Sequence, residues 1–251
     1  MGCIRVGQGQ TLVLVHGFLS GLHYWDKQIE KLSTHFDVIA MDLPGYGGEV
    51  AKTGHNSISD FALSVLKKLD DMGIQNFHLI GHSMGGMIAQ EIALSAPQRV
   101  TRLVLYGTGP MGDLPGRFES LSQSMEKVQL FGTSDAKSYT VESWFQKGKG
   151  DPNFLPGLEL AKGVSLQTYI NGLEAMANWS AVDRLGQILA KTLVIWGDKD
   201  KSYIWNQPYL LWQEIKDSSL AVIPDCSHNV HLEKDYLFNT IVFDFLTARP
   251  T

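Results

Sequence analysis

The sequence predicts an α/β fold in which a mostly parallel sheet carries helices on both faces. Short runs of aliphatic and β-branched residues recur along the chain, and segments with helical spacing lie between them. Apolar runs of about four residues are too short for helices and are typical of buried strands. Alternation of such strands with helices is characteristic of parallel sheets, because parallel neighbours need a crossover connection.

Six apolar runs predict the strands of this sheet. Most of them end in Gly, His, Asp or Pro, which often terminate a strand. In chain order the runs are LVLV at 12–15, VIAM at 38–41, FHLI at 77–80, LVLY at 103–106, LVIW at 193–196 and LAVI at 220–223.

Two segments show clear helical periodicity. Residues 57–72 start with Ser57, a predicted N-cap with Asp60 three residues later. The apolar face of this helix comprises Phe61, Val65, Leu69 and Met72. Residues 233–247 form the second helix, whose predicted apolar stripe comprises Leu237, Ile241 and Phe245.

Length and composition restrict the function classes. The 251 residues suit one large α/β domain, and 21 Lys and Arg against 26 Asp and Glu give a net charge of −5. The absence of a basic cluster argues against nucleic-acid binding, and no apolar run could span a membrane. The N-terminus lacks a secretory signal, and the two cysteines, Cys3 and Cys226, fit a reducing compartment. We therefore expect a cytoplasmic protein without membrane insertion.

One long segment interrupts the alternation of strands and helices. Residues 111–183 contain no convincing strand, and a structureless loop of this length is improbable in a compact domain. We therefore predict a helical insertion between two core parts, 1–110 and 184–251. Aromatic residues are predicted to line its inner side, although each of them could equally serve only to pack the insertion against the sheet. These residues are Phe118, Phe131, Tyr139, Trp144, Phe145, Phe154, Tyr169 and Trp179.

The most informative motif is Gly-His-Ser-Met-Gly-Gly at 81–86. It follows the strand at 77–80 and precedes a segment that reads as a helix. A serine on a sharp strand-to-helix turn has a strained backbone that exposes its hydroxyl above the sheet, and small residues on either side allow the tight turn. This context makes Ser83 a candidate nucleophile.

A serine hydroxyl needs a general base and a third group that orients the base. In this architecture the acid and the histidine follow the serine in chain order, each after a strand. The last strand is followed by His228, and the strand before it by Asp198 and Asp200. Either aspartate could serve as the acid. Asp200 is preferred because it lies further beyond its strand and can reach the next loop.

Backbone N–H groups are predicted to stabilise negative charge beside Ser83. Met84 is the first residue of the predicted helix, where N–H groups and the helix dipole favour an anion. The loop after the first predicted strand reads His16-Gly17-Phe18, and Gly17 would allow a close backbone approach. The N–H groups of Phe18 and Met84 are therefore the candidate oxyanion hole.

The chain resembles the α/β-hydrolase superfamily. Within this superfamily it is most similar to the small capped carboxylesterases and carbon–carbon hydrolases. The resemblance extends from about residue 9 to residue 245 through VLVHGF, MDLPGYG, IGHSMGG, LVLYG, TLVIWGDKD and CSHNVHLE, in that order. It implies a triad of Ser83, Asp200 and His228, the oxyanion hole at Phe18 and Met84, and a cap at 111–183. The short N-terminus implies that the first strands of the family sheet are shortened.

We therefore expect a serine carboxylesterase that acts on a small-molecule ester with apolar parts and needs neither cofactor nor metal. Trp144, Phe145 and Trp179 are the predicted substrate-binding residues of the cap. The alternative is hydrolysis of a carbon–carbon bond, a lactone or a thioester with the same triad. A ligand-sensing protein on the same scaffold is a third hypothesis, because a fold does not fix a function.

Overall fold

The computed structural model describes residues 1–113 and 119–248 and is organised around a seven-stranded sheet. The strands are β1 (Cys3–Val6), β2 (Thr11–Val15), β3 (Asp37–Met41), β4 (Phe77–His82), β5 (Val100–Tyr106), β6 (Lys191–Gly197) and β7 (Ser218–Ile223). Their spatial order is β1-β3-β2-β4-β5-β6-β7. Only β1 runs antiparallel to its neighbour, so the predicted mostly parallel sheet is confirmed.

All six predicted strands are present, and β1 is one that the sequence analysis did not identify. This strand has only four residues and lies at the sheet edge beside β3. Its side chains are half-buried or exposed, so it lacks the buried apolar run that marks the other strands. Among the described residues, β1 is the strand that precedes β2.

Helices connect the strands. They are α1 (Asp26–Leu32), α2 (Ile58–Asp71), α3 (Met84–Ser95), α4 (Leu121–Ser143), α5 (Phe154–Lys162), α6 (Leu166–Ala177), α7 (Asn206–Glu214), α8 (Val230–Glu233) and α9 (Asp235–Thr247). Single 3₁₀ turns occur at Leu22–Trp25, Gly47–Glu49, Gly148–Gly150 and Val182–Gln187. Within the described ranges, none of these helices is long and apolar enough to cross a membrane.

The side chains of each central strand alternate between two hydrophobic cores, as the two-residue period of a strand requires. On β2, Val13 and Val15 pack with α2 and α3, whereas Leu12 and Leu14 pack with α1 and α9 on the opposite face. Both faces of the sheet are therefore covered by helices.

The two predicted helices are confirmed, with one correction. Ser57 caps α2 by accepting a hydrogen bond from the Asp60 N–H, and Phe61 is fully buried as expected. In α9 Phe245 is buried as predicted, but Leu237 is 37% exposed. The buried face comprises Phe238, Val242 and Phe245, so two of the three predicted positions are displaced by one residue. These three residues have equally good helical spacing, and contact with the sheet decides between the two stripes.

The segment between β5 and β6 contains α4, α5 and α6, which all fall inside the predicted insertion. Gly132 breaks α4 with φ 78° and ψ 171°, a conformation in the left-handed range of φ. Phe118 and the side chain of Phe131 lie outside the described part of the chain. The boundaries 111–183 of a separate cap unit stay a prediction.

The burial of α2 gives a prediction about stability. Replacing Phe61 by Ala should lower the free energy of unfolding by about 3–5 kcal/mol, because the buried ring is lost and a cavity is left. Leu63 lies on the same helix and is 62% exposed, so Leu63→Ala should change stability by less than about 0.5 kcal/mol. Urea denaturation of both variants measures the difference. Equal effects of the two substitutions would show that α2 does not pack as described.

Candidate active site

Ser83 lies on a strained turn between β4 and α3. Its φ of 56° and ψ of −121° are uncommon for a residue with a side chain. The turn is possible because its neighbours are glycines. A Cβ atom on Gly81 would lie 2.3 Å from the Gly85 carbonyl oxygen, and one on Gly85 would lie 2.3 Å from the Val15 carbonyl oxygen. The structure thus shows the geometry that the motif predicted.

His228 and Asp200 form a buried pair. His228 Nδ1 lies 2.9 Å from Asp200 Oδ2, and the two side chains are 2% and 0% exposed. The other oxygen of Asp200 accepts hydrogen bonds from the N–H groups of Ser202 and Tyr203, which fix the carboxylate. The other candidate acid, Asp198, instead pairs with Lys199. Of the two aspartates, the structure places Asp200 against the histidine.

Ser83 and His228 line the same cavity. Because Asp200 occupies Nδ1 of the imidazole, Nε2 is the ring nitrogen that remains for proton transfer. Within the described residues, the Ser83 hydroxyl and this nitrogen are not directly hydrogen-bonded. Such bonds are often long in a ligand-free site and shorten when a substrate is bound. The structure therefore brings the three predicted triad residues to one place.

The predicted oxyanion-hole residues also meet at Ser83. Met84 is the first residue of α3, and the Phe18 side chain lines the cavity beside Ser83. A Cβ atom on Gly17 would lie 3.0 Å from Ser83 Cβ, so the loop after β2 passes very close to the serine. Participation of the Phe18 and Met84 N–H groups in binding an oxyanion stays a prediction.

The cavity lies between the carboxyl end of the sheet and the helical segment, and its empty space together with its open mouth amounts to about 490 Å³. Most of its wall comes from α4, α6 and the loop after β6. Besides Ser83 and His228, the lining comprises Phe18, Leu121, Ser124, Thr140, Ser143, Trp144, Tyr169, Leu173, Met176, Ser202 and Tyr203.

Of the three predicted substrate-binding residues, only Trp144 lines this cavity. Phe145 instead packs in the hydrophobic core with 1% exposure. The Nε1 of Trp179 donates a hydrogen bond to the Glu91 carboxylate at the end of the helical segment. Tyr139, another predicted inner aromatic residue, is 45% exposed and lies beneath the Lys127 ammonium group.

Tyr169, one of the predicted inner aromatic residues, lines the cavity. Several other cavity residues were missed by the sequence analysis, although their spacing could have indicated them. Tyr169, Leu173 and Met176 have the i, i+4, i+7 spacing of one helix face on α6. Thr140 and Ser143 share a face of α4 with Trp144 but are polar, so a search for aromatic residues overlooked them.

A buried network supports the backbone of His228. Its carbonyl oxygen accepts hydrogen bonds from the Tyr106 hydroxyl at 2.7 Å and from His82 Nε2 at 3.2 Å. His231 Nδ1 lies 2.9 Å from the same hydroxyl, and His231 Nε2 donates to the Tyr24 carbonyl. Burial lowers the pKa of His231 to about 3 and holds that of His82 well below its ordinary value. Both rings are therefore neutral near pH 7.

Glu233 connects the His228 loop to the helical segment. One of its carboxylate oxygens accepts a hydrogen bond from the Ser227 N–H at 2.6 Å, and the other accepts one from the Gln146 N–H at 2.8 Å. Burial raises the pKa of this carboxyl group. A second link joins the Asn229 N–H to the Trp144 carbonyl at 3.3 Å.

Comparison with known proteins gives one family match. The family model described as the α/β hydrolase fold matches residues 10–147, which is more than half of the chain. A hydrolase from Pseudomonas putida, named for 2-hydroxy-6-oxononadienedioate and 2-hydroxy-6-oxononatrienedioate, is 32% identical over 96% of this chain and 90% of its own length.

Two solved structures show the same overall fold. The enol-lactonase from Burkholderia xenovorans LB400 is 23% identical, with a TM-score of 0.90 over 98% of this chain and 96% of its own. Est816, described as an enzyme that degrades N-acyl homoserine lactones, is 26% identical, with a TM-score of 0.83 over 97% of this chain and 96% of its own.

The low pKa of His231 gives a prediction about acid stability. Below about pH 6.5 the unfolded chain binds a proton at this histidine that the folded protein does not bind until about pH 3. The free energy of unfolding should therefore fall as the pH falls, by up to about 1.4 kcal/mol per pH unit from this group. Urea denaturation between about pH 7 and pH 4 should show a shallower loss in His231→Gln than in the wild type. Parallel curves for the two proteins would contradict this.

Proposed function

Because the chain belongs to the α/β-hydrolase family, we propose that it is a serine hydrolase that cleaves carboxylic esters through an acyl-enzyme on Ser83. The observation that supports this most directly is the placement of Ser83, on its strained turn, in one cavity with the buried His228–Asp200 pair. These are the groups that nucleophilic acyl transfer requires. We further expect the enzyme to act in the cytoplasm on a small-molecule substrate.

In the proposed mechanism, Ser83 Oγ attacks the ester carbonyl while His228 Nε2 takes its proton. Asp200 holds the imidazole through Nδ1 and stabilises its charged form. The N–H groups of Phe18 and Met84 stabilise the oxyanion of the tetrahedral intermediate. His228 then protonates the leaving alcohol, and water hydrolyses the acyl-enzyme by the same sequence of steps.

The charge of the cavity favours a neutral ester. Among the described residues that line it there is no Lys or Arg. The Pseudomonas putida relative is named for dioate substrates, which carry two carboxylates. A carboxylate that enters this cavity would lose its hydration without gaining a cationic partner, which is costly.

Hydrolysis of a carbon–carbon bond in a dienoate is the second candidate, because the name of this relative points to it. The same triad could also open a lactone, the bond on which Est816 is described as acting. These reactions share the nucleophile and differ in what the cavity must bind. Substrate specificity therefore has to be measured directly.

Replacement of Ser83 by Ala tests the nucleophile. We expect turnover to fall by about 10⁴–10⁶-fold with an unchanged far-UV circular dichroism spectrum, because only the attacking oxygen is removed. The matched control is Ser95→Ala, an exposed serine at the end of α3 that should keep wild-type activity. A phosphonate ester should label the wild type at Ser83 only. Ester cleavage by Ser83→Ala at the wild-type rate would exclude the proposed mechanism.

A substrate panel separates the two candidate functions. The wild type should hydrolyse p-nitrophenyl esters of neutral acids with a higher kcat/KM than a ring-cleavage dienoate, since the described cavity lining offers no cation to a carboxylate. Release of p-nitrophenol and loss of the dienoate absorbance are followed separately. Activity on the dienoate alone would replace the esterase by the carbon–carbon hydrolase.

A further inference from the structure

We propose that the cavity selects an uncharged ester or lactone that also carries a hydrogen-bond donor, such as a hydroxyl or amide N–H group, away from the scissile carbonyl. This inference rests on the proposed function and specifies its substrate class. It follows from the hydrogen bonds that the hydroxyl groups on the wall formed by α4 and α6 already donate to the protein.

The hydroxyl protons of three serine and threonine residues in this wall are already donated to the protein. Thr140 Oγ1 donates to the Ala136 carbonyl at 2.8 Å, and Ser143 Oγ donates to the Thr140 carbonyl at 2.6 Å. Ser124 Oγ donates to the Glu119 carboxylate at 2.5 Å. A hydroxyl group has one proton and two lone pairs, so these three oxygens can offer the cavity only acceptors.

The Tyr169 hydroxyl extends this acceptor surface. Its oxygen lies 3.4 Å from Thr140 Oγ1, and Thr140 has already committed its own proton to the helix backbone. The proton between the two oxygens therefore comes from Tyr169, which leaves lone pairs on the tyrosine oxygen as well. Four hydroxyl oxygens of the cavity lining can thus accept, but not donate, a hydrogen bond from a substrate.

The charged residues near this wall also favour a neutral substrate. Glu119, which binds Ser124, is buried and paired with Lys127. Neither residue lines the cavity, and no cationic side chain is found among the described residues that do. On the α4–α6 wall an anionic group would therefore face lone pairs, whereas a hydroxyl or N–H group would find partners.

Apolar side chains make up much of the remaining wall and limit the donor to one part of the substrate. Leu121, Trp144, Leu173 and Met176 surround the polar oxygens, and Phe18 lies beside Ser83. The fitting substrate is therefore mainly apolar, with a donor group at a distance from the bond that is cleaved.

Four p-nitrophenyl esters test the inference on the intact protein: the hexanoate, its ω-hydroxy and ω-methoxy derivatives, and the ω-carboxylate. We expect kcat/KM for the ω-hydroxy ester to exceed that for the ω-methoxy ester by about two- to tenfold, the effect of one hydrogen bond. The ω-carboxylate should be at least about tenfold poorer than the hexanoate.

The variants Thr140→Val and Ser143→Ala remove two of the four acceptor oxygens and, when combined, should lower the ratio of ω-hydroxy to ω-methoxy activity towards one. The matched control is Thr240→Val on α9, because Thr240 makes the same bond to a carbonyl four residues earlier but is exposed. This variant should keep the wild-type ratio, and circular dichroism checks that all variants fold.

An unchanged ratio in the Thr140→Val, Ser143→Ala protein would overturn the inference while leaving the esterase proposal intact. Efficient hydrolysis of the ω-carboxylate by the wild type would do the same. If the wild type cleaves none of the four esters, the proposed function itself is wrong and the inference falls with it.

Discussion

The close approach of three backbone segments around Ser83 is the constraint on which the site depends. The loop after β2, the end of β4 and the start of α3 meet at distances that exclude a Cβ atom at Gly81 and Gly85. This contact forces the positive φ of Ser83 and places Met84 at the helix N-terminus. The cost of the strained residue is offset by the packing of β4 and α3, whose side chains such as Leu79 and Ile88 are fully buried.

The histidine side of the site is supported in a different way. A loop is normally the least rigid part of an α/β protein, yet the loop that carries His228 is largely buried. Its backbone is held by Tyr106 and His82 from below and by Glu233 from the side. Burial keeps His82 and His231 neutral, so they hold the loop without adding positive charge beside the His228 imidazole.

The parts that could be predicted from the sequence are those encoded by local patterns. Buried parallel strands read as apolar runs, α2 carries its own cap and stripe, and the glycines around Ser83 mark a turn that few other sequences allow. The acid could be chosen between Asp198 and Asp200 only by an argument about reach, and the observed 2.9 Å contact agrees with that choice. Strand β1 escaped prediction because its half-exposed side chains leave no buried run.

The cavity wall was harder to predict, since it depends on how α4 and α6 lie over the sheet. Trp144 and Phe145 are adjacent in the chain, and only their placement in three dimensions turns one towards the cavity and the other into the core. Trp179 satisfies the pattern of an aromatic liner but is used to join the helical segment to α3 through Glu91. Tertiary contacts of this kind have no signature in composition or periodicity.

The double role of Glu233 restricts how this protein could be recombined with its relatives. Its carboxylate spans the junction between the helical segment and the loop of His228, and each oxygen serves one side. A chimera that imported a foreign set of helices without a backbone N–H group at the place of Gln146 would leave one oxygen of this half-buried carboxylate without its partner. Grafts that exchange substrate preference should therefore include the sequence on both sides of this junction.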